Sequence, residues 1–317
     1  MTATSTLATR RASIREVGLR DGLQSLASIV STADKCAWID AAYDAGMREM
    51  EVGSMVPAHL LPQLADTEAV LAHACSKPGL LASVLVPNLK GAERALAAGA
   101  QSMVVPLSAS HAHSLANLRK TPDDVVAEVA RIRAVRDAAG SRAHIEGGVG
   151  TAFGCTLQGD VAESEVLRLM QALLDAGADH VSLADTVGYA DPDSVRRLFE
   201  KARKLVGDRL RTAHFHDTRG MGLANAYAAW QTGITHFDAC LGGIGGCPHA
   251  PGASGNVTTE DLAYMLQRMG IDSGLDVPAL LQLRQRMHAW LPNERLHGSL
   301  WQAGVIAAPQ ASTAICP

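Results

Sequence analysis

An alternation repeated eight times along the chain limits its possible folds more than any other feature. Eight short apolar runs rich in β-branched residues are each followed by a longer segment with helical periodicity, which is the pattern of alternating strands and helices. The runs start at residues 12, 49, 80, 102, 143, 180, 211 and 235. Helical segments such as TADKCAWIDAAYDAG and DPDSVRRLFEKARKLVG open with Thr or Asp and close on glycine, as capped helices do.

Eight βα units without a break predict an α/β fold, a closed (β/α)₈ TIM barrel, with a C-terminal helical extension from about residue 259. An open doubly wound sheet is disfavoured, because no G-x-G-x-x-G follows the first strand. Several units share a glycine just before the next strand, in DAGM, AAGA, DAGA and QTGI. We expect residues 1–11 to be a disordered tail, 12–300 a single barrel domain and 301–317 a C-terminal tail.

Composition argues against several classes of protein. The 28 Lys and Arg are outnumbered by 32 Asp and Glu, a net charge of −4, so no basic surface indicates a nucleic-acid partner. No apolar stretch reaches the roughly 18 residues of a membrane span, and the first residues lack the apolar core of a signal peptide. We therefore expect a cytoplasmic protein without a membrane partner. Six scattered cysteines with no C-x-x-C pair do not indicate a disulfide framework.

The segment TAHFHDTRG, residues 212–220, places two histidines one residue apart in a predicted strand. Side chains in a strand alternate between faces, so His214 and His216 point to the same side and Phe215 to the other. Two imidazoles that converge in this way suit a divalent metal ion. The alternative is a polar strand end whose histidines are hydrogen-bonded.

Catalytic groups in a barrel lie at the C-terminal ends of the strands and on the loops that follow them. Arg20 and Asp21 are predicted at the end of strand one, Glu51 near the end of strand two, and Asp185 at the end of strand six. A glycine-rich loop after strand eight contains Cys247 and Asn256. The set Asp21, His214, His216 and Asn256 combines carboxylate, imidazole and carbonyl donors, which suit Mg²⁺ or Mn²⁺ better than a thiolate site would.

Two of these residues can be interpreted in more than one way. Arg20 would bring a fixed positive charge to an oxygen that becomes negative, or it could form an ion pair with Glu51 or Asp185. Cys247 could be delivered to the site by a mobile glycine-rich loop, or it could be a small thiol packed in a tight turn.

Five segments carry a resemblance to a known family: REVGLRDGLQ, PNLKGAERALAAGA, SLADTVGYADP, HFHDTRGMGLANAYAA and GGIGGCPHAPGASGNVTTEDLAYML. Together they resemble the 3-hydroxy-3-methylglutaryl-CoA lyase family, from about residue 13 to 275. The resemblance implies a divalent-metal-dependent lyase whose acyl-CoA substrate is cleaved by a retro-Claisen reaction to acetyl-CoA and a keto acid. For hydroxymethylglutaryl-CoA the keto acid is acetoacetate. A homodimer is implied at the level of the family.

The resemblance also implies roles for individual residues. Arg20 would stabilise the enolate, Cys247 would take part in proton transfer, and Glu51 and Asp185 would support the site. Arg219 could bind a substrate carboxylate or could be a solvated residue at the start of a helix. The implied metal ligands are Asp21, His214, His216 and Asn256, and Ser110 and Asn117 are implied to lie near the substrate. Gln24 and Arg219 are further candidates for substrate binding.

The chain departs from the usual family pattern around the mouth of the barrel. Leu19 replaces a usual Pro, His111 a frequent Glu and Arg219 a frequent Tyr, and HIEGGVG in strand five lacks the usual Tyr-Val-Ser. Such changes alter specificity without altering the chemistry, so the substrate could instead be citramalyl-CoA or a longer 3-hydroxyacyl-CoA.

Three further functions are compatible with a barrel of this kind to different degrees. A Claisen condensing synthase would run the same chemistry in reverse, although the loop that carries Cys247 argues against it. A metal-binding barrel without catalysis would not need the complete set of metal ligands, arginine and cysteine. A Schiff-base aldolase would need a lysine at a strand end, and Lys90 opens a helix instead.

Overall fold

Eight parallel strands form the barrel of a computed structural model that describes residues 10–246 and 255–306. Each strand pairs with the next along the chain, and the eighth pairs with the first, so the sheet is closed. The predicted (β/α)₈ barrel is confirmed, with a strand at each of the eight predicted runs. The strands are β1 (Ser13–Glu16), β2 (Glu49–Ser54), β3 (Leu81–Leu85), β4 (Ser102–Ser108), β5 (His144–Gly150), β6 (His180–Asp185), β7 (Leu210–Phe215) and β8 (His236–Ala239).

Helices follow every strand and cover the outside of the barrel. They are α1 (Thr32–Asp44), α2 (Thr67–Cys75), α3 (Leu89–Ala97), α4 (His111–Leu118), α5 (Pro122–Ala138), α6 (Glu163–Asp175), α7 (Pro192–Val206), α8 (Gly222–Gln231), α9 (Thr259–Arg268), α10 (Val277–Trp290) and α11 (Leu300–Ala303). Because α9 follows β8, it completes the eighth βα unit, and the predicted extension consists of α10 and α11. The extension packs against α1, where the rings of Trp38 and Trp290 stack with centroids 6.1 Å apart.

Side-chain caps fix where several helices begin. Thr121 and Asp124 form a capping box at the start of α5, and Asp191 caps α7, as the aspartate that opens DPDSVRRLFEKARKLVG predicted. The cap of α1 is Ser31, whose Oγ accepts the N–H of Asp34 at 3.1 Å. Within residues 10–246 and 255–306, no helix is long and apolar enough to cross a membrane.

The glycine that recurs before the next strand has a backbone conformation that other residues avoid. Gly46, Gly99, Gly177 and Gly233 all have positive φ, of 95°, 79°, 108° and 94°. Gly46 has a further constraint, because a Cβ built on it would lie 2.1 Å from the carbonyl oxygen of Gly274. The loop before β2 therefore packs directly against the segment that leads into α10.

The inside of the barrel contains paired charges. Arg15 of β1 donates from Nη1 to Oε2 of Glu146 in β5 at 2.8 Å, and from Nε to Oδ1 of Asp238 in β8 at 2.7 Å. All three side chains are buried. Burial would raise the pKa of Glu146, but the charges and hydrogen bonds of Arg15 and His180 together outweigh burial and hold that pKa well below its usual range. Loss of one partner would leave a buried charge uncompensated, at a cost of about 3–5 kcal/mol.

We expect Gly46→Ala to destabilise the protein more than Gly99→Ala. Both alanines would have to adopt a positive φ, which costs about 1–2 kcal/mol. Only at residue 46 would Cβ also meet a backbone oxygen, since nothing in residues 10–246 and 255–306 lies within 4 Å of a Cβ at residue 99. Urea denaturation followed by circular dichroism should give the lower midpoint for Gly46→Ala. Equal midpoints would contradict the close approach of Gly46 to Gly274.

Candidate active site

A tight turn after β1 brings Arg20 and Asp21 to the mouth of the barrel. The strand ends at Glu16, and residues Gly18–Gly22 form one turn of π-helix in which the N–H groups of residues 20, 21 and 22 all donate to the carbonyl oxygen of Val17. Arg20 and Asp21 were predicted at the strand end and lie instead on this turn. Glu16 holds the turn in place, because its Oε1 accepts the N–H of Gly18 at 2.9 Å and the N–H of Leu241, after β8, at 3.0 Å.

Asp21, His214 and His216 form a compact cluster at this end of the barrel. Their ligand atoms all lie within 4.8 Å of one another, and all three residues are buried. The Nε2 atoms of the two histidines are 3.1 Å apart, and Nε2 of His216 is 3.6 Å from Oδ2 of Asp21. Phe215 points to the other face and packs against Phe199 with ring centroids 6.1 Å apart. The predicted orientation of the two histidines is confirmed.

Several polar atoms of the cluster lack a partner within the described part of the chain. The side-chain nitrogen of Asn256 donates to Oδ2 of Asp21 at 2.7 Å, but its Oδ1 accepts no hydrogen bond although it is buried. Two imidazole Nε2 atoms that face each other can share only one proton between them. Buried acceptors of this kind are costly unless they are satisfied. A divalent cation would satisfy them together, so the donor set fits a metal site of carboxylate, imidazole and amide oxygen.

Asp238 orients one of the two histidines from behind. Its Oδ2 lies 3.0 Å from Nδ1 of His214, which favours the proton on Nδ1 and leaves the lone pair of Nε2 free for a metal. Its other oxygen, Oδ1, accepts the hydrogen bond from Arg15. Asp238 was not among the residues predicted from the sequence. Alternation within THFDACL could have identified it, because Phe237 and Ala239 face the helices and Asp238 therefore faces the barrel interior.

The guanidinium of Arg20 connects the cluster to Glu51. Nη1 donates to Oδ1 of Asp21 at 2.5 Å, and Nη2 lies 2.7 Å from Oε2 of Glu51. The Nε of Arg20 is buried without a hydrogen-bond partner among the described residues. Glu51 occupies the middle of β2 and is fully buried, which raises its pKa despite the opposing charge of Arg20. The ion pair considered from the sequence therefore forms with Glu51, while one donor of Arg20 is left unused.

Asp185 and Arg219 both bind the loop that follows β6. The carboxylate of Asp185 accepts the N–H groups of Tyr189 and Ala190 at 2.8 and 3.0 Å. Arg219 donates from Nη1 to the carbonyl oxygens of Val187 and Gly188 and lies over the ring of Tyr189 at 4.6 Å. Neither interpretation of Arg219 from the sequence included this loop contact. Both side chains therefore hold the loop after β6 in place.

The remaining predicted residues are spread around the site. Gln24 donates from Nε2 to Oδ1 of Asp21 at 3.1 Å, so it contacts the metal cluster directly. Ser110 is buried, caps α4 and donates to Oε1 of Gln158 at 3.0 Å. Asn117 is exposed near the end of α4. Cys247 lies outside the described residues.

Comparisons with known proteins agree with this architecture. The model of the HMGL-like family matches residues 11–287. The hydroxymethylglutaryl-CoA lyase of Bacillus subtilis is 36% identical over 291 residues, which cover 90% of this chain and 97% of that protein. The 3-hydroxy-3-isohexenylglutaryl-CoA/hydroxymethylglutaryl-CoA lyase of Pseudomonas aeruginosa is 38% identical over 282 residues, 87% of this chain and 91% of that protein.

A solved structure with bound ligands is also similar. The HMG-CoA lyase of Acinetobacter baumannii, in complex with coenzyme A and 3-methylmalate, superposes with a TM-score of 0.88 at 38% identity. The match covers 100% of this chain and 99% of that chain.

We expect Asp238→Asn to weaken divalent-metal binding by about 10- to 100-fold, because His214 loses the partner that orients it. The pH dependence should change as well. Burial lowers the pKa of His214, but Asp238 outweighs it and raises that pKa above 6.5. A proton therefore competes with the metal as the pH falls through this raised pKa. In the variant the pKa of His214 is lower, so the further loss of metal affinity on acidification should begin at a lower pH. Isothermal titration calorimetry with Mn²⁺ over a range of pH that spans this pKa measures both effects.

The matched control is Asp193→Asn, which removes an exposed carboxylate from α7. It should leave both the affinity and its pH dependence unchanged. The same affinity and pH profile in Asp238→Asn as in the unmodified protein would refute the role of Asp238.

Proposed function

Because the chain belongs to the HMGL-like family, we propose that it is a divalent-metal-dependent carbon–carbon lyase that cleaves 3-hydroxy-3-methylglutaryl-CoA to acetyl-CoA and acetoacetate. The observation that carries the proposal is the convergence of Asp21, His214 and His216 with the unpartnered Oδ1 of Asn256, directly beside Arg20 in the described part of the chain. The relatives named as hydroxymethylglutaryl-CoA lyases and the neighbour that binds coenzyme A support the same conclusion.

We propose Mg²⁺ or Mn²⁺ as the ion, because oxygen donors and imidazole without thiolate suit these metals. Asp21, His214, His216 and Asn256 would hold it, and it would supply Lewis acidity at the hydroxyl and an acid oxygen of the substrate. In the reaction the C3 hydroxyl loses its proton and becomes a carbonyl, and the C2–C3 bond breaks. The electron pair of that bond passes to the thioester as an enolate, which is then protonated at C2.

Arg20 is suited to stabilise the enolate oxygen. Its guanidinium keeps its charge because Glu51 and Asp21 outweigh the effect of burial and raise its pKa. The unused Nε–H is a buried donor, and a preorganised donor of this kind is worth more in a water-excluded site than in water. Glu51 fixes the orientation of the guanidinium through the contact at Nη2.

His214 and Asp21 are the two candidates for the base that removes the hydroxyl proton, either one after it exchanges its place on the metal. Asp21 is a poor candidate: burial favours its protonation, but Arg20 and the hydrogen bond with His216 outweigh burial and hold its pKa well below the usual range. We propose His214 as the better of the two, acting only once its Nε2 has exchanged off the metal, since Asp238 raises its pKa.

We further propose that Cys247 delivers the proton to C2 of the enolate. The support comes from the chain just before it, since a Cβ on Gly245 would lie 2.6 Å from the side-chain nitrogen of Asn256 and 3.3 Å from Oδ2 of Asp21. The loop that carries Cys247 therefore starts against the metal cluster. The homodimer stays a prediction that rests on the family, and the cytoplasmic location stays a prediction that rests on the sequence composition.

We expect metal removal to abolish the reaction. Protein treated with EDTA and then desalted should release no acetyl-CoA from 3-hydroxy-3-methylglutaryl-CoA, and added Mg²⁺ or Mn²⁺ should restore the release, followed by mass spectrometry. Equal release with and without metal would contradict the proposed chemistry. If the added metal binds but no acetyl-CoA is released, the substrate belongs to another class.

We expect Arg20→Met to lower kcat by about 10²-fold or more, because the variant loses the charge that stabilises the enolate. Arg196→Met removes an exposed arginine from α7 and is the matched control. Steady-state kinetics with saturating metal compare the two variants. A normal kcat in Arg20→Met would rule out the assigned role.

A further inference from the structure

The mouth of the barrel has two chemically different halves. The metal cluster, Arg20 and Glu51 lie on the side of β7, β8, β1 and β2. On the opposite side, β5 also carries the buried Glu146, but four small or apolar residues of β3 to β6 are partly exposed although each lies within a strand: Leu85, Pro106, Gly148 and Ala184. We call these four residues the apolar wall.

Strand register shows that the apolar wall is continuous with the metal cluster. Ala184 pairs with the metal-site residue His214. Two residues earlier on the same strand, Ser182 pairs with Gly148, and Gly148 pairs in turn with Pro106. Paired residues on neighbouring parallel strands face the same side of the sheet. The inward faces of β6, β5 and β4 are therefore continuous with the metal cluster, and none of the four residues of the wall is charged.

Gly148 is the residue in this wall that needs an explanation. Its φ lies outside the left-handed region, so its backbone conformation does not require glycine. Among the described residues, the atoms nearest to a Cβ built on Gly148 would be Oγ of Ser182 and Cγ1 of Val104 at 3.6 Å and the carbonyl oxygen of Val105 at 3.8 Å, which are ordinary van der Waals contacts. Packing of the protein against itself therefore does not require glycine either.

The neighbouring glycine shows the contrast. Gly147 points outward, and a Cβ there would lie 2.9 Å from Cδ1 of Leu173 on α6, so packing of the helix explains it. Glycine inside a strand weakens the strand, and it marks places where a ligand or another backbone approaches closely. No backbone atom of the described residues comes closer to a Cβ at Gly148 than the carbonyl oxygen of Val105. This leaves a ligand as the explanation.

We propose that the apolar wall receives the substituent on C3 of the substrate, and that this substituent is a hydrocarbon chain longer than methyl. The inference rests on the proposed lyase function and names its substrate class, the 3-hydroxy-3-alkylglutaryl-CoA thioesters. The reaction is unchanged: the hydroxyl proton leaves, the C2–C3 bond breaks, and acetyl-CoA separates from a 3-oxo acid that keeps the longer chain. The chain would extend from C3, held at the metal cluster, along Ala184 towards Gly148.

The test compares two substrates in three proteins. The substrates are 3-hydroxy-3-methylglutaryl-CoA and 3-hydroxy-3-pentylglutaryl-CoA, and the proteins are the unmodified chain, Gly148→Ala and Gly148→Val. We expect the unmodified protein to cleave the pentyl substrate with a kcat/KM at least equal to that for the methyl substrate. Gly148→Val should lower kcat/KM for the pentyl substrate at least about tenfold more than for the methyl substrate, and Gly148→Ala should have an intermediate effect.

Two further readouts separate specificity from structural damage. The thermal unfolding midpoint of Gly148→Ala should equal or exceed that of the unmodified protein, because alanine restricts the unfolded chain and fits this backbone. Mn²⁺ affinity should be the same in all three proteins. The inference is overturned if the kcat/KM of Gly148→Val falls equally for both substrates, or if the unmodified protein cleaves only the methyl substrate. Failure of the unmodified protein to cleave either substrate with metal bound overturns the proposed function itself.

Discussion

Closure of the sheet by pairing of β1 with β8 is the constraint on which the site depends. Ser13 to Glu16 pair with His236 to Ala239, so strands at the two ends of the chain become neighbours. The turn after β1 then lies beside β7 and the segment that follows β8. Asp21 can therefore contact Asn256, 235 residues later in the chain, with 2.7 Å between the two side chains. Without closure, the donors from the two ends of the chain would not meet at one mouth.

Buried charged residues inside the barrel connect the strands of the closed sheet to the metal ligands. Arg15 joins Glu146 on the far side of the barrel to Asp238, and Asp238 orients His214. Each carboxylate has a cationic or hydrogen-bonded partner, which is the condition for keeping charges in a low-dielectric interior. We infer that the interior is polar because it supports the site, whereas the stability of the fold comes from the apolar contacts between the strands and the surrounding helices.

The fold could be predicted from the sequence because its signals are local. Apolar runs, caps such as Thr121 and Asp191, and loop glycines with positive φ each act within one βα unit. The same-face placement of His214 and His216 also follows from strand geometry alone. These features can be predicted without knowing which segments of the chain pack against each other.

Details of the site depend on contacts between distant segments, which local patterns do not contain. β1 ends before Arg20 because Glu16 binds the N–H of Leu241, 225 residues away. Arg219 was expected at a substrate or in solvent, yet its guanidinium binds carbonyl oxygens of the loop after β6. The fully buried ion pair of Arg20 with Glu51 is likewise a property of the closed barrel. The roles proposed for Gln24, Ser110, Asn117 and Cys247 stay predictions.

The central claim is that one divalent ion is held where Asp21, His214, His216 and Asn256 converge. Anomalous diffraction from crystals grown with Mn²⁺ tests this claim most directly. We predict a single strong anomalous peak within about 2.0–2.4 Å of an oxygen or Nε2 atom of all four side chains. A peak bound elsewhere, for instance between Glu51 and Asp185, or no peak at saturating Mn²⁺, would contradict the account.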